Sequence, residues 1–442
     1  MKSKLSLIVL AYLRFWAKLQ LKKNPRAIII GVTGSAGKTS TRLAIVQILK
    51  NRGVVKHSVH ANSESGIPLN ILGLTLSTYS FLDWLRVMLL APLKYIFWKE
   101  SYDYYVVEMG IDSPHPPKNM AYLLSIIKPD IAIVLGASHV HTETFDPLVR
   151  DTASVRRRSK LLNLIASHKM LLARSVSPDG SSIINADSAA LAPYIKDIKS
   201  RLLTFGTNQS SSLRIIKNTL SRRGTSVTFE YQNMQATLTL PDIFGKEYAS
   251  TFAAAVGVAL SLGVPLKQAI SHLSSYRSPA GRMRVFAGIK GTHIIDSSYN
   301  ASPDTVNAAL ATLDAVAPRN AKLLILGDMR ELGSLSKQMH QKLAKKLAFR
   351  ADTYVLYGEM MSKYVAPSLI REKKVVYNPQ SMQELIAVVK KLLKPNMWVL
   401  VKGSQNKILL ERAVESILEN KDDIKNLARR GAYWDKIRQN TR

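Results

Sequence analysis

Gly34-Ser35-Ala36-Gly37-Lys38-Thr39-Ser40, set between the apolar run Ala27-Ile28-Ile29-Ile30 and a helical stretch over Thr41–Asn51, decides how this chain is read. A strand that runs through glycines into a helix meets the needs of a polyphosphate. Glycines let backbone N–H groups close on the anion, and the helix presents its positive end. Lys38 supplies a charge for the terminal phosphates, and the Thr39 hydroxyl suits Mg²⁺. Val32 stands where the common G-x-x-x-x-G-K-[ST] pattern has its first glycine. The stretch implies an ATP site, with a chance glycine-rich turn as the alternative.

Working outward, the apolar runs Tyr104–Val107, Asp130–Leu135 and Ser182–Asn185 alternate with helical patterns and predict a helix-covered parallel sheet. The polar, alternating stretch Leu213–Leu240 predicts antiparallel strands added to that sheet, and Tyr248–Leu262 an alanine-rich helix. After Gly281, the runs Thr292–Ile295, Lys322–Leu326, Thr353–Tyr357, Lys374–Tyr377 and Trp398–Val401 predict a second, doubly wound domain. The expected class is α/β: a P-loop parallel-sheet ATPase domain with an antiparallel extension, then a smaller Rossmann-like domain. Boundaries are expected at 1–25 for an amphipathic helix, 26–283 and 284–442. Lys421–Arg442 reads as a polar, basic tail able to fray.

With 442 residues and 46% apolar content, the chain can bury sizeable cores. It has no cysteine, which excludes disulfides, thiolate metal sites and cysteine nucleophiles and suits the cytoplasm. Its 62 basic against 31 acidic residues, a net charge of +31, would suit nucleic acid, anionic lipid or phosphate-rich substrates. No RNA-binding signature or zinc finger accompanies that charge, so no nucleic-acid partner is expected.

Two apolar stretches bear on membranes. Leu5–Leu13 is followed by Arg14, Lys18, Lys22 and Lys23 and falls short of the ~20 residues a spanning helix needs, so contact with an anionic membrane surface is expected. Phe81–Trp98 contains Asp83, Arg86, Pro92 and Lys94 and suits an amphipathic helix pair. Docking onto the protein's own core is the alternative for both.

Eight ordered blocks carry a family resemblance. They are Val32–Thr39, Val107-Glu108-Met109-Gly110, His141-Thr142-Glu143-Thr144-Phe145, Asn185-Ala186-Asp187, Gly281-Arg282-Met283, Ser298-Tyr299-Asn300-Ala301, Leu326–Gly333 and Lys402-Gly403-Ser404. From about Ala27 to about Ser416 the chain resembles the Mur ligases, and the MurF type most. The resemblance implies an ATP-dependent ligase that activates a carboxylate as an acyl phosphate for attack by an amine. It implies a cell-wall precursor peptide as one substrate and an amino acid or a dipeptide such as D-Ala-D-Ala as the other.

By the same resemblance Gly34 to Ser40 hold ATP, and Thr39, Glu108 and His141 are Mg²⁺ ligands, with His139 as the runner-up histidine. Lys169 corresponds to a carbamylated lysine at a second Mg²⁺; Lys160 and the run Arg156-Arg157-Arg158 compete with it. Arg282 and Asp296 are implied nucleotide contacts and Ser404 a substrate contact. The chain departs from the pattern at Gly136, at Ser250, at Ser297 where relatives place a second aspartate, and in Asn62-Ser63-Glu64-Ser65-Gly66-Ile67-Pro68. A typical MurF carries an amino-terminal domain that grips the uridine nucleotide-sugar, whereas here the P-loop follows a single helix. Another surface, a membrane-bound partner or a different acceptor is therefore expected. Two other functions remain open: a non-catalytic nucleotide-binding scaffold at the membrane, and folylpolyglutamate synthase-like ligation. The expected location is cytoplasmic, peripheral at the inner face of the membrane.

Overall fold

The computed structural model describes residues 4–59, 61–139, 142–151, 154–404 and 408–440. The helix α1 (Lys4–Leu21) comes first, followed by β1 (Ile28–Thr33), α2 (Lys38–Leu49), β2 (Val55–His57), α3 (Gly66–Leu72) and α4 (Phe81–Phe97). The first sheet continues with β3 (Tyr104–Glu108), β4 (Ile131–Val134), β5 (Ser181–Asn185), β6 (Arg201–Gly206), β7 (Leu213–Ser221), β8 (Gly224–Tyr231) and β9 (Met234–Leu240). Its strand order is β2-β3-β1-β4-β5-β6-β7-β8-β9, parallel as far as β7 and antiparallel from β7 to β9. The strands β1, β3 and β4 are mostly apolar because helices cover both faces.

The second sheet contains β10 (Arg284–Gly288), β11 (Thr292–Ser297), β12 (Lys322–Gly327), β13 (Thr353–Tyr357), β14 (Val375–Tyr377) and β15 (Trp398–Lys402). Its order is β10-β11-β15-β12-β13-β14, with only β10 antiparallel. Arg222 Nε donates to the Val316 carbonyl across the two domains at 2.8 Å. Thr142 Oγ1 also donates across the gap, to the Leu332 carbonyl at 2.9 Å.

Val32 is explained by the strand itself. It is fully buried in β1, so the strand runs on to Thr33 and the phosphate loop starts only at Gly34. Two expectations change. Phe81–Phe97 is one continuous helix rather than a pair, although it contains Pro92. Proline lacks an N–H and leaves the carbonyl four residues back unbonded; the Tyr12 hydroxyl donates to that Met88 carbonyl at 2.9 Å. The C-terminal segment is also folded over its described length. Arg429 pairs with Glu411 at 2.7 Å, both fully enclosed, and donates to the carbonyls of Ser298 and Tyr299.

Candidate active site

The loop and its neighbours meet at the carboxyl ends of β1, β3 and β4, where a parallel sheet opens into a ligand crevice. Gly37 has φ 83° at the N-cap of α2, a left-handed conformation that side chains disfavour. No side chain caps the helix there, so its first N–H groups face the loop. A Cβ on Gly34 would come 2.8 Å from Leu135 Cβ, so only glycine lets the loop pass β4 this closely. Ser35 N donates to the Gly136 carbonyl at 3.1 Å and fastens the loop. Ala36 lies exposed at its tip. Ser40, expected at the nucleotide, is instead on the buried side of α2.

Lys38 Nζ reaches back to donate to the Gly34 carbonyl at 2.7 Å, which sets its charge over the loop. Enclosure by protein lowers its pKa, and Arg282 pushes the same way against Glu108 and Asp112. Glu108 is the last residue of β3, in register with Val32. Its Oε2 accepts from Thr39 Oγ1 at 3.1 Å and its Oε1 from Arg42 Nε at 2.7 Å. Arg282 Nη2 crosses from the domain junction to donate to Thr39 Oγ1 at 3.2 Å, with its guanidinium 4.4 Å over the Tyr299 ring. Three separate sequence blocks therefore converge on the Thr39 hydroxyl.

This donor set fits a small hard cation. Two oxygen ligands at right angles on Mg²⁺ lie about 3 Å apart, close to the Thr39–Glu108 separation. Among the described residues no three His, Asp or Glu side chains form a metal cluster. Water and phosphate oxygens would complete such a site, as is usual for Mg²⁺ with nucleotides. His141 lies outside the described residues. His139 turns its Nε2 to the Arg158 carbonyl at 3.0 Å.

The competing lysines differ in environment. Lys160 is exposed and pairs with Asp151 at 3.2 Å. Lys169, on the helix Ser154–Arg174, is buried. Burial, and secondarily the charge of Lys38, lower its pKa to about 7, with Asp112 opposing. A large share of Lys169 is thus a neutral amine near neutral pH, the form that combines with carbon dioxide.

The expected nucleotide and substrate contacts of the second domain are turned inward. Asp296 is fully buried, and its Oδ1 accepts from Ser298 N at 3.0 Å, so it offers no surface to a ribose. Ser297 Oγ accepts from Lys402 Nζ at 3.0 Å. Ser404 is buried and donates to Asn300 Oδ1 at 3.3 Å instead of lining the cleft. Protein partners rather than solvent meet Ser297 and Ser404 at the strand ends, while Asp296 Oδ2 is buried without a hydrogen-bond partner.

Arg42, Asp112 and Glu247 belong to none of the sequence blocks, and Lys402 opens the last block without being read as a site residue. Arg42 sits three residues after Thr39, on the same side of α2, a spacing that could have flagged it. Lys402 is buried, and desolvation, assisted by Arg282 and opposed by Glu247, lowers its pKa to about 7. Glu247 approaches it from the first domain with its side chain still open to solvent; desolvation by the surrounding protein raises the carboxyl pKa, against the charge of Lys402. Nothing local in sequence joins these two.

A pH dependence follows. Unfolded lysines titrate near 10.5, whereas Lys169 and Lys402 titrate near 7 in the native protein. The unfolded chain therefore holds two more protons between these values, and stability rises with pH. The penalty is complete below pH 7 and gone above 10.5. In carbon dioxide-free buffer, urea midpoints should climb from pH 7 to 9, by at most ~1.4 kcal/mol per pH unit for each lysine. Lys169→Met should flatten the slope; a midpoint that falls over this range would contradict the assignment.

Residues 32–259 match the Mur ligase middle domain, and residues 281–405 the Mur ligase glutamate ligase domain. A UDP-N-acetylmuramoyl-tripeptide–D-alanyl-D-alanine ligase of Rickettsia prowazekii is 25% identical over 404 residues, covering 90% of this chain and 79% of that protein. The Bacillus subtilis ligase of the same name is 26% identical over 400 residues, covering 89% and 76%. In three dimensions the chain resembles MurF from Acinetobacter baumannii, with TM-score 0.72 and 21% identity over 92% of this chain and 80% of that one. MurF from Thermotoga maritima, solved with ADP, gives TM-score 0.71 and 21% identity, covering 98% and 84%. These structural likenesses establish the fold.

Proposed function

The chain belongs to the Mur ligase family, and from that premise we propose that it joins D-alanyl-D-alanine, or a similar amine, to the carboxylate of a peptidoglycan-precursor peptide. It is an ATP-dependent acid–amino-acid ligase. The observation that carries the reading is the meeting of Glu108 and Arg282 at the Thr39 hydroxyl, next to a loop over which Lys38 holds its charge.

In the proposed reaction a carboxylate oxygen attacks the γ-phosphorus and ADP leaves. The amine nitrogen then attacks the acyl phosphate carbonyl, phosphate departs with the bonding pair, and the amine loses a proton. Lys38 and Arg282 bring fixed positive charge to phosphates whose transition state gains little from covalent help. Mg²⁺, held by Thr39 and Glu108, would neutralise phosphate charge when bound. Arg42 holds the Glu108 carboxylate in place. Lys169, as a carbamate, would supply a fixed anion near Lys38. The hydrophobic Phe145 packs against His168, next in sequence to Lys169, at 5.5 Å between ring centroids and steadies that helix. We place the protein on the cytoplasmic side of a membrane and in contact with it.

The test is ligation with a substrate panel, read by mass spectrometry. ADP release and a new amide should require the precursor peptide and the amine together. ATP binding without ligation on any pair would favour the scaffold reading. Product only from a pteroyl substrate and glutamate would favour the folylpolyglutamate one.

A further inference from the structure

α4 presents its apolar side to solvent. Asp83, Val87 and Ala91 face inward at helical spacing, while Leu82, Leu85, Leu89, Leu93 and Phe97 face outward. Phe97 is 79% exposed, Leu82 73% and Leu89 63%, values expected of charged residues in an ordinary surface helix. α1 lies alongside. Leu10, Leu13 and Ala17 anchor it to the protein, and Leu5, Ile8 and Phe15 remain exposed. A contiguous apolar face of this kind marks an interaction site.

The rim of that face fits only a negative partner. The C-terminal ends of the two helices adjoin: Gln20 donates to the Trp98 carbonyl, Asn24 to the Glu100 carbonyl, and Lys23 to the Tyr95 carbonyl. This sets exposed Lys18, Lys22 and Lys99 around Ile96, Phe97 and Trp98, with Lys94 4.3 Å over the Trp98 ring. α1 has no acidic residue in its first turn. The acids on or beside α4 are engaged, Asp83 by Arg86 and backbone amides and Glu100 by Lys56. A second copy would bring the same basic rim and repel. Among the described residues no helix is long and apolar enough to cross a membrane.

We propose that α1 and α4 form one platform that seats the protein on a bilayer with anionic headgroups, the outer face of α4 entering the headgroup–acyl boundary. The proposal rests on the membrane contact placed above and is independent of ligation. Tryptophan and lysine at the platform edge suit that boundary. A groove of 290 Å³ between the N-terminal halves of the helices, lined by Leu5, Val9, Phe81, Trp84, Leu85 and Met88, gives an acyl chain room. Its inner wall includes Ser65, on the loop whose Asn62 carbonyl accepts from Gly110 N at 3.0 Å, two residues past Glu108. The platform thus flanks the phosphate crevice.

The full chain would be sedimented with vesicles of equal phosphatidylglycerol and phosphatidylcholine, and with phosphatidylcholine alone. Binding is expected only with the anionic lipid and should weaken as salt rises. The variant Leu82→Gln/Leu89→Gln/Phe97→Gln, confined to exposed positions and checked by thermal midpoint, should lose about tenfold or more in partitioning. Leu5→Gln/Ile8→Gln/Phe15→Gln should lose a similar amount. Loss in the α1 variant but not the α4 variant would leave the membrane contact standing and overturn the two-helix platform. Absence of vesicle binding by the unaltered chain would overturn both. So would its self-association in solution, if abolished by the α4 variant and unaccompanied by vesicle binding.

Discussion

Lys38→Ala should lower the ligation rate by about 10³-fold or more while leaving the fold intact. The substitution removes the charge that Nζ places over the loop at Gly34 and leaves Thr39, Glu108 and the start of α2 untouched. Transfer of a phosphoryl group depends on neutralising charge as it shifts to the leaving oxygen, and the remaining Arg282 approaches only the Thr39 side. Stability should hold or rise, because burial and Arg282 already disfavour a charge on Lys38. The check is single-turnover ligation beside thermal unfolding. A folded variant with an unchanged rate would remove Lys38 from the chemistry.

That convergence is partly legible in the amino-acid sequence, because a parallel sheet places the ends of distant strands at one edge. Glu108, Thr39 and Arg282 can be named from their blocks for this reason. Ser404 belongs to a block of the same quality and Asp296 lies two residues before another, and yet both turn inward: a motif fixes where the backbone goes, while burial of neighbours decides which side chains face a ligand. Arg42 escapes a sequence reading because its partner Glu108 is 66 residues away, and Lys402, although it opens the last block, has its role set by Ser297, 105 residues away. β2 escapes it because three residues carry no period, and β6 because Arg201 and Thr204 interrupt its apolar run. The continuity of α4 through Pro92 depends on Tyr12, a contact across 76 residues that no local rule contains.

Lys169→Ala should reduce ligation by about 10²-fold or more, and acetate or formate should restore part of it. A neutral amine adds its lone pair to the carbon of carbon dioxide and releases a proton, giving a carbamate with one negative charge. Lys169 is suited to this because burial, aided by Lys38, lowers its pKa to about 7. The reaction places an anion near Lys38 where the amine, when protonated, would have set a second positive charge, so the site itself favours the adduct. Alanine leaves the volume of the missing side chain, and a small carboxylate placed there replaces the lost charge without the covalent bond. Lys160, exposed and paired with Asp151, provides the control: Lys160→Ala should ligate at close to the unaltered rate. Rescue should saturate with carboxylate concentration and should not occur with chloride, which matches the charge but not the paired oxygens. Absence of rescue in Lys169→Ala, with loss and carboxylate rescue in Lys160→Ala, would move the modified lysine to the surface position.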